Sequence, residues 1–143
     1  MEAGQISHLN RLLLDTSVLI AVLRGNRQIA RGLNELVANF RLGISVITWI
    51  EIYVGVISAR HENETSQLLS NFEIVAVDEK VAMNAVFFIK KYPSVFGKAA
   101  SRGTADALIA ACAKTIGAKL VSLNSRHFDK ISKEDLFVEV LRA

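Results

Sequence analysis

Leu12-Leu13-Leu14-Asp15-Thr16-Ser17-Val18-Leu19-Ile20 is the stretch on which the fold turns. Three adjacent leucines with no polar residue between them read as a strand buried on both faces, as in a parallel sheet. The polar Asp-Thr-Ser triplet ends that run. Thr16 to Arg24 then reads as a helix, with Gly25-Asn26 as its stop. A buried strand leading straight into a helix is the start of a βα unit.

The alternation continues in both directions along the chain. Ile29, Leu33, Leu36, Val37 and Phe40 recur at helical spacing, and Gly43 to Ile47 reads as the second strand. Thr48 to Ala59 is the next helix, with Trp49, Ile52, Tyr53 and Val56 on one side. Arg60 to Glu64 reads as a polar break, and Leu68, Leu69 and Phe72 as a short helix or turn. Glu73 to Val77 is the third strand. Asp78 is placed to cap a helix that runs to Tyr92, with Val81, Ala85, Phe88, Ile89 and Tyr92 facing inward, and Pro93 ends it. Ser94 to Gly103 reads as a small basic loop. Thr104 to Ile116 is an apolar helix closed by Gly117. Lys119 to Leu123 is the fourth strand, and Leu136 to Leu141 an edge strand. The expected class is α/β: a three-layer α/β/α domain around a mainly parallel sheet of about five strands. In such sheets the ligand site lies at the carboxyl ends of the strands.

Composition narrows the class further. The chain has 143 residues, 51% of them hydrophobic, and a net charge of only +3. Such a chain folds and does not remain disordered. Its longest apolar run, Ala107 to Ala113, is far short of the roughly 20 residues of a membrane helix, so no membrane role is expected. Residues 1–10 carry no apolar signal core and read as an N-terminal extension to a single domain spanning 1–143. One cysteine, Cys112, excludes a disulfide framework and a multi-cysteine zinc site. In Ala-Ala-Cys-Ala it reads as a buried small hydrophobe. A reducing cytoplasm is the expected compartment. The mild basic excess permits a nucleic-acid partner without demanding one.

Four polar residues fall where the site of such a sheet would lie. Asp15 follows the first strand, Glu51 lies one turn into the helix after the second, Asp106 opens the apolar helix, and Asn124 ends the fourth strand. Clustered carboxylates repel each other and are best tolerated around a cation. Oxygen-only ligands favour Mg²⁺ or Mn²⁺, which serve in displacement at phosphorus. Each residue also has a plain structural role open to it. Asp15 suits a helix cap, Glu51 would close a capping box with Thr48, and Asp106 suits a first helical turn. Asn124 suits a turn after a strand. Arg24, Lys98, Arg102, Arg126 and His127 lie where loops border this edge and suit contacts to phosphate groups. Arg102 leads that group, four residues before Asp106.

Four phrases occur in order. They are Leu14-Asp15-Thr16-Ser17-Val18-Leu19-Ile20, then Ser45-Val46-Ile47-Thr48-Trp49-Ile50-Glu51-Ile52-Tyr53-Val54-Gly55-Val56. Thr104-Ala105-Asp106-Ala107-Leu108-Ile109-Ala110-Ala111-Cys112-Ala113 follows, then Leu120-Val121-Ser122-Leu123-Asn124-Ser125-Arg126-His127-Phe128. Together they resemble the PIN-domain ribonucleases, and within these the VapC-type toxins of prokaryotic toxin–antitoxin pairs. The resemblance implies a metal-dependent endoribonuclease in which Asp15, Glu51 and Asp106 ligate Mg²⁺ or Mn²⁺ and activated water attacks an RNA phosphodiester. The family often has a fourth acid after the fourth strand. Here Asn124 and His127 occupy the two candidate positions, and neither is an acid. Asn124 joins the catalytic set, and Thr16 and Ser122 supply hydroxyl contacts to metal-bound water or substrate. The resemblance further implies a cognate antitoxin that places a peptide segment against the acidic pocket. It also implies a homodimer formed near Trp49 and Tyr53, and no sequence-specific DNA binding by this chain alone. Two alternatives stand beside it. A PIN-like scaffold without catalysis rests on the missing fourth acid. A receiver-type phospho-acceptor module would need a second acid beside Asp15 and a lysine after the last strand, and the chain has neither pattern.

Overall fold

The computed structural model describes residues 10–97 and 100–141, and the side chains of these apart from 100–102, 125 and 126. Of the N-terminal extension only Asn10 is among them, and Lys98 lies outside them. The strands are β1 (Arg11–Leu14), β2 (Arg41–Ser45), β3 (Glu73–Val75), β4 (Lys119–Ser122) and β5 (Val138–Val140). The helices are α1 (Thr16–Leu23), α2 (Arg27–Asn39), α3 (Val46–Val54), α4 (Ala59–Leu69), α5 (Glu79–Lys91), α6 (Pro93–Phe96), α7 (Ala100–Ile116) and α8 (Ser125–Phe128).

The five strands form one sheet in the order β3-β2-β1-β4-β5, and every pairing is parallel. Helices cover both faces, which is the three-layer α/β/α arrangement. The alternation of strand side chains divides the core in two. Leu13 and Leu120 pack with Phe88 of α5 and with Ile109 and Cys112 of α7. Leu12, Leu14 and Val121 face the other way, onto Val18, Leu19, Leu33 and Ile52 of α1, α2 and α3. The three β1 leucines are at most 1% exposed. Their burial contributes roughly 2 kcal/mol apiece. Among the described residues no helix is long and apolar enough to cross a membrane.

Chain direction fixes where a site belongs. From β1 the chain goes to β2 and β3 on one side, and then crosses to β4 and β5 on the other. The sheet order therefore reverses between β1 and β4. A crevice opens at such a switch point, beyond the carboxyl ends of the two strands.

Several boundaries depart from the sequence reading. The second strand lies at Arg41–Ser45, two residues earlier than expected, because Ser45 rather than Thr48 caps α3: its side chain accepts from Thr48 N at 3.1 Å. The expected Thr48–Glu51 capping box is therefore absent. α3 ends at Val54, with Gly55 as its cap. Arg60 to Glu64 is not a break but part of α4. Ser58 caps this helix, and only Thr65 and Leu69 are buried along it, too narrow an apolar stripe to announce itself. The third strand stops at Val75 and the fifth spans only Val138–Val140.

The expected loop Ser94 to Gly103 contains most of α6 and the first turn of α7, which starts at Ala100 rather than Thr104. A glycine inside a helix reads as a breaker, but here it permits contact. A Cβ on Gly103 would stand 1.8 Å from the carbonyl oxygen of Phe96. Gly117 does act as the predicted stop, at φ +70°, with Ala118 N bonded back to Ala113 O at 2.9 Å. The inward face of α5 is as expected, with Val81, Ala85 and Phe88 buried. Cys112 is fully buried, and burial pushes its thiol up to about 11, so it stays protonated and unreactive.

Candidate active site

Asp15 stands at the carboxyl end of β1, next to the switch point. Its backbone N donates to Val121 O at 2.8 Å, which ties it to β4. The β1–β4 register pairs Leu14 with Val121, so the next residues, Asp15 and Ser122, come side by side. Ser122 Oγ donates to Asp15 Oδ2 at 2.7 Å, and Ser17 Oγ donates to the same oxygen at 3.0 Å. Both hydroxyls are themselves held: Ser122 Oγ accepts from Asn124 N at 3.0 Å and Ser17 Oγ from Leu123 N at 3.2 Å. Asp15 occupies the N-cap position of α1, yet its side chain makes no capping bond. The plain capping role is thereby set aside. Asp15 is 9% exposed, and its carboxylate is oriented by hydroxyls from β4 and α1.

Glu51 is positioned by a second group of hydroxyls. Thr16 Oγ1 donates to Glu51 Oε1 at 2.7 Å and stands 2.9 Å from Thr48 Oγ1. A carboxylate only accepts, so the single proton of Thr16 goes to Glu51. Thr48 must then donate to Thr16, and Ser45 Oγ stands behind Thr48 at 3.5 Å. Thr16, Ser45 and Thr48 are all buried, at 8%, 0% and 0% exposed. The Thr-x-x-Glu pattern thus orients Glu51 through Thr16 rather than through a helix cap.

Asp106 lies seven residues into α7 instead of opening it, which removes the first-turn role expected for it. Its Oδ2 is 3.0 Å from His127 Nε2. Asn124 takes the plain role open to it, capping α8 by accepting from His127 N at 3.3 Å. It also borders the site. A cavity of about 350 Å³ is lined by Asp15, Thr16, Ser17, Glu51, Asp106, Asn124 and His127. The four residues expected to converge therefore share one cavity. Ser122 reaches it through Asp15. The side chains of Arg102 and Arg126 lie outside those described.

Arg24 caps the C-terminal end of α1 and lines an adjoining cavity of about 260 Å³ with His61, Ile52 and Gly55. Glu51 and Ile20 line both cavities. Sequence reasoning missed Ser17, Ser45, Thr48 and His61. The hydroxyls had a signal, since Ser45 ends a strand and Ser17 and Thr48 each lie three residues past a strand end. His61 had none. A larger depression, about 880 Å³, lies between α5 and α7. Asp78 on its rim is occupied in capping α5, accepting from Val81 N at 2.9 Å, and no carboxylate cluster lies there among the described residues.

The donor set bears on whether a metal fits. Three carboxylates and several hydroxyls around one cavity are hard oxygen donors, suited to Mg²⁺ or Mn²⁺. Among the described residues no three His, Cys, Asp or Glu side chains approach closely enough to form a ready shell. An ion here would be held directly by one or two carboxylates and keep several waters.

Comparison with known proteins gives concordant results. A family model of the PIN domain matches residues 12–134. Ribonuclease VapC10 of Mycobacterium tuberculosis is 32% identical over 117 residues, covering 82% of this chain and 85% of the relative. A toxin–antitoxin complex from Klebsiella pneumoniae contains a chain similar in structure, with a TM-score of 0.74 and 28% identity. The match covers 92% of this chain and 98% of that one. VapBC2 from Rickettsia felis, bound to a DNA fragment from its promoter, shares the fold with a TM-score of 0.75 at 24% identity, over 92% and 99% of the two chains.

Proposed function

The chain belongs to the PIN domain family, and from that premise we propose that it is a divalent-metal-dependent endoribonuclease acting as the toxin of a toxin–antitoxin pair. The observation that carries this reading is the cavity at the sheet's switch point, which Asp15, Glu51 and Asp106 line together. The ribonuclease relative and the toxin–antitoxin complex support it.

Asp15, Glu51 and Asp106 would hold Mg²⁺ or Mn²⁺. When bound, such an ion offsets charge on the scissile phosphate and acidifies water. The residues of the chain do the rest. Ser17 and Ser122 hold Oδ2 of Asp15, so its other oxygen is turned by a fixed geometry. Thr16 holds Oε1 of Glu51. Prearranged carboxylates avoid reorganisation during reaction, which is where electrostatic catalysis gains most. Asn124 sets the backbone that brings His127 to the rim. Arg24, Arg102 and Arg126 are the side chains we assign to RNA phosphates.

An antitoxin would cover the same cavity in the resting state, in the cytoplasm. We also assign a homodimer to the face that carries Trp49, Ile50, Val54 and Ile57, which are 37%, 48%, 79% and 90% exposed. Trp49 and Tyr53 meet there at 4.5 Å between ring centroids, their planes tilted by 46°. An apolar patch of that kind marks an interaction surface.

The test is cleavage of a total RNA pool by the purified chain in Mg²⁺, in Mn²⁺ and in EDTA. Discrete fragments that require the metal are expected. Cleavage that persists in EDTA, or none in either metal, overturns the reading.

A further inference from the structure

On the helical side of the cavity, His127 Nε2 is buried and has no hydrogen-bond partner. Yet it lies 3.0 Å from Asp106 Oδ2. At that distance an aligned donor and acceptor would form a strong charge-assisted bond, but without alignment the gain is small. Two core aromatic rings pack beside it. Phe96 and Phe128 meet it edge-on, at 6.2 and 4.9 Å between centroids and at 88° and 78°. Both phenylalanines belong to the core, at 2% and 5% exposed. The main chain at His127 is held in turn by Asn124 Oδ1. The imidazole thus stands with its nitrogen beside a carboxylate oxygen and makes no aligned hydrogen bond to it.

A cation would give Nε2 the partner it lacks while sharing Oδ2 of Asp106. Neighbouring ligands in an octahedral shell with bonds of about 2.1 Å stand about 3.0 Å apart. Neutral imidazole is among the commonest metal ligands. We propose that His127 Nε2 is a direct ligand of the divalent ion that Asp106 holds, and that this nitrogen biases the cavity toward Mn²⁺ over Mg²⁺. The proposal rests on the metal-dependent reading above and adds a ligand to it. Mg²⁺ takes oxygen donors almost exclusively, whereas first-row transition ions accept nitrogen. Two protein ligands from this side leave the remaining positions to water and phosphate oxygens, with the facing carboxylates reached through water, the usual composition for such ions.

The test is pulsed electron paramagnetic resonance of Mn²⁺ bound to the full-length chain, read for coupling to a ¹⁴N nucleus. A histidine-type nitrogen coupling is expected in the unaltered protein and should vanish in His127→Ala. By titration, Mn²⁺ affinity should fall roughly tenfold or more in that variant, with a smaller change for Mg²⁺. His127→Asp should reverse the preference toward Mg²⁺. Bound Mn²⁺ without nitrogen coupling overturns the ligand assignment, reduces His127 to an ion-pair neighbour of Asp106 and leaves the metal reading standing. No Mn²⁺ bound at millimolar concentration overturns the metal reading as well. The spectrum of the unaltered protein decides the matter even if a variant fails to fold.

Discussion

At the strand ends Asp15 is 9% exposed and its Oδ2 takes two serine hydroxyls. Across the same cavity, the side chain of Asp106 stands on a helix at 26% exposed, beside an imidazole. The first carboxylate is placed by sheet register, because pairing Leu14 with Val121 leaves Asp15 no choice but to meet Ser122. The second is placed by how α7 packs on the Phe96 turn and on α8, which no ladder fixes. One side of the site is thus rigid by topology and the other only as exact as its packing. Substitutions should act differently on the two sides, through chemistry at the strand ends and through fold at the helix.

The largest effect is expected at Asp15. Asp15→Asn keeps an oxygen for Ser122 and removes the charge, so RNA cleavage should fall by more than about 100-fold, beyond the usual effect of losing a supporting hydrogen bond. The melting temperature should stay near that of the parent. A variant with a tenth of the parental rate would remove the strand-end side from the centre of the account. One step smaller, Ser122→Ala and Thr16→Val should each cost about 10–100-fold in cleavage rate by freeing a carboxylate to reorient. Thr16→Ser, which retains the hydroxyl, should recover most of the rate. Equal loss in Thr16→Ser and Thr16→Val would show that the hydroxyl is not what matters.

On the helical side the leading prediction concerns stability. Gly103→Ala drives a methyl into the Phe96 carbonyl. Overpacking of that kind costs about 1–3 kcal/mol, or roughly 5–10 °C of melting temperature in a domain of this size. Unchanged melting would mean that α7 can slide away from the turn, and that Asp106 is less tightly placed than described.

The smallest effect lies farther along the same side. Asp135 receives hydrogen bonds from Lys91 and Tyr92, which hold its carboxyl below the usual range. These bonds tie the segment after α8 to the end of α5. A lowered folded value means the contribution is full at neutral pH and is lost as pH falls through that value, below about 3.9. The melting gap between the parent and Asp135→Asn should therefore hold from pH 7 to 5 and close below about pH 4. A gap that persists at pH 2 would show that the charge is not its source.

The same division explains what could be read from the chain. Asp15 was legible because a strand of uninterrupted leucines puts the next polar residue at the sheet edge, whereas Ser122, expected to contact metal-bound water or substrate, instead donates to Asp15 Oδ2. Cys112 was legible from its small apolar neighbours, and the stripe of Val81, Ala85 and Phe88 from periodicity. The start of α7 was not. Gly103 looks like a breaker until the Phe96 carbonyl above it is seen, and tertiary contact of that sort leaves no local pattern. α4 was missed for the opposite reason: its helix rests on the Ser58 cap, an Arg60–Glu64 pair at 3.2 Å and two buried residues, too little apolar surface to show a period. The hydroxyls behind Glu51 were in view, but Thr48 was read as a cap because Ser45 was assigned to the interior of a strand.

The central claim is that the strand-end and helical carboxylates serve one ion in one cavity. Anomalous diffraction from crystals of the full chain soaked in Mn²⁺ tests it most directly. The account predicts a peak inside the cavity, with an oxygen of Asp15 or Asp106 about 2 Å away and Glu51 reached directly or through water. A peak elsewhere on the chain at full occupancy, with this cavity empty, would contradict it.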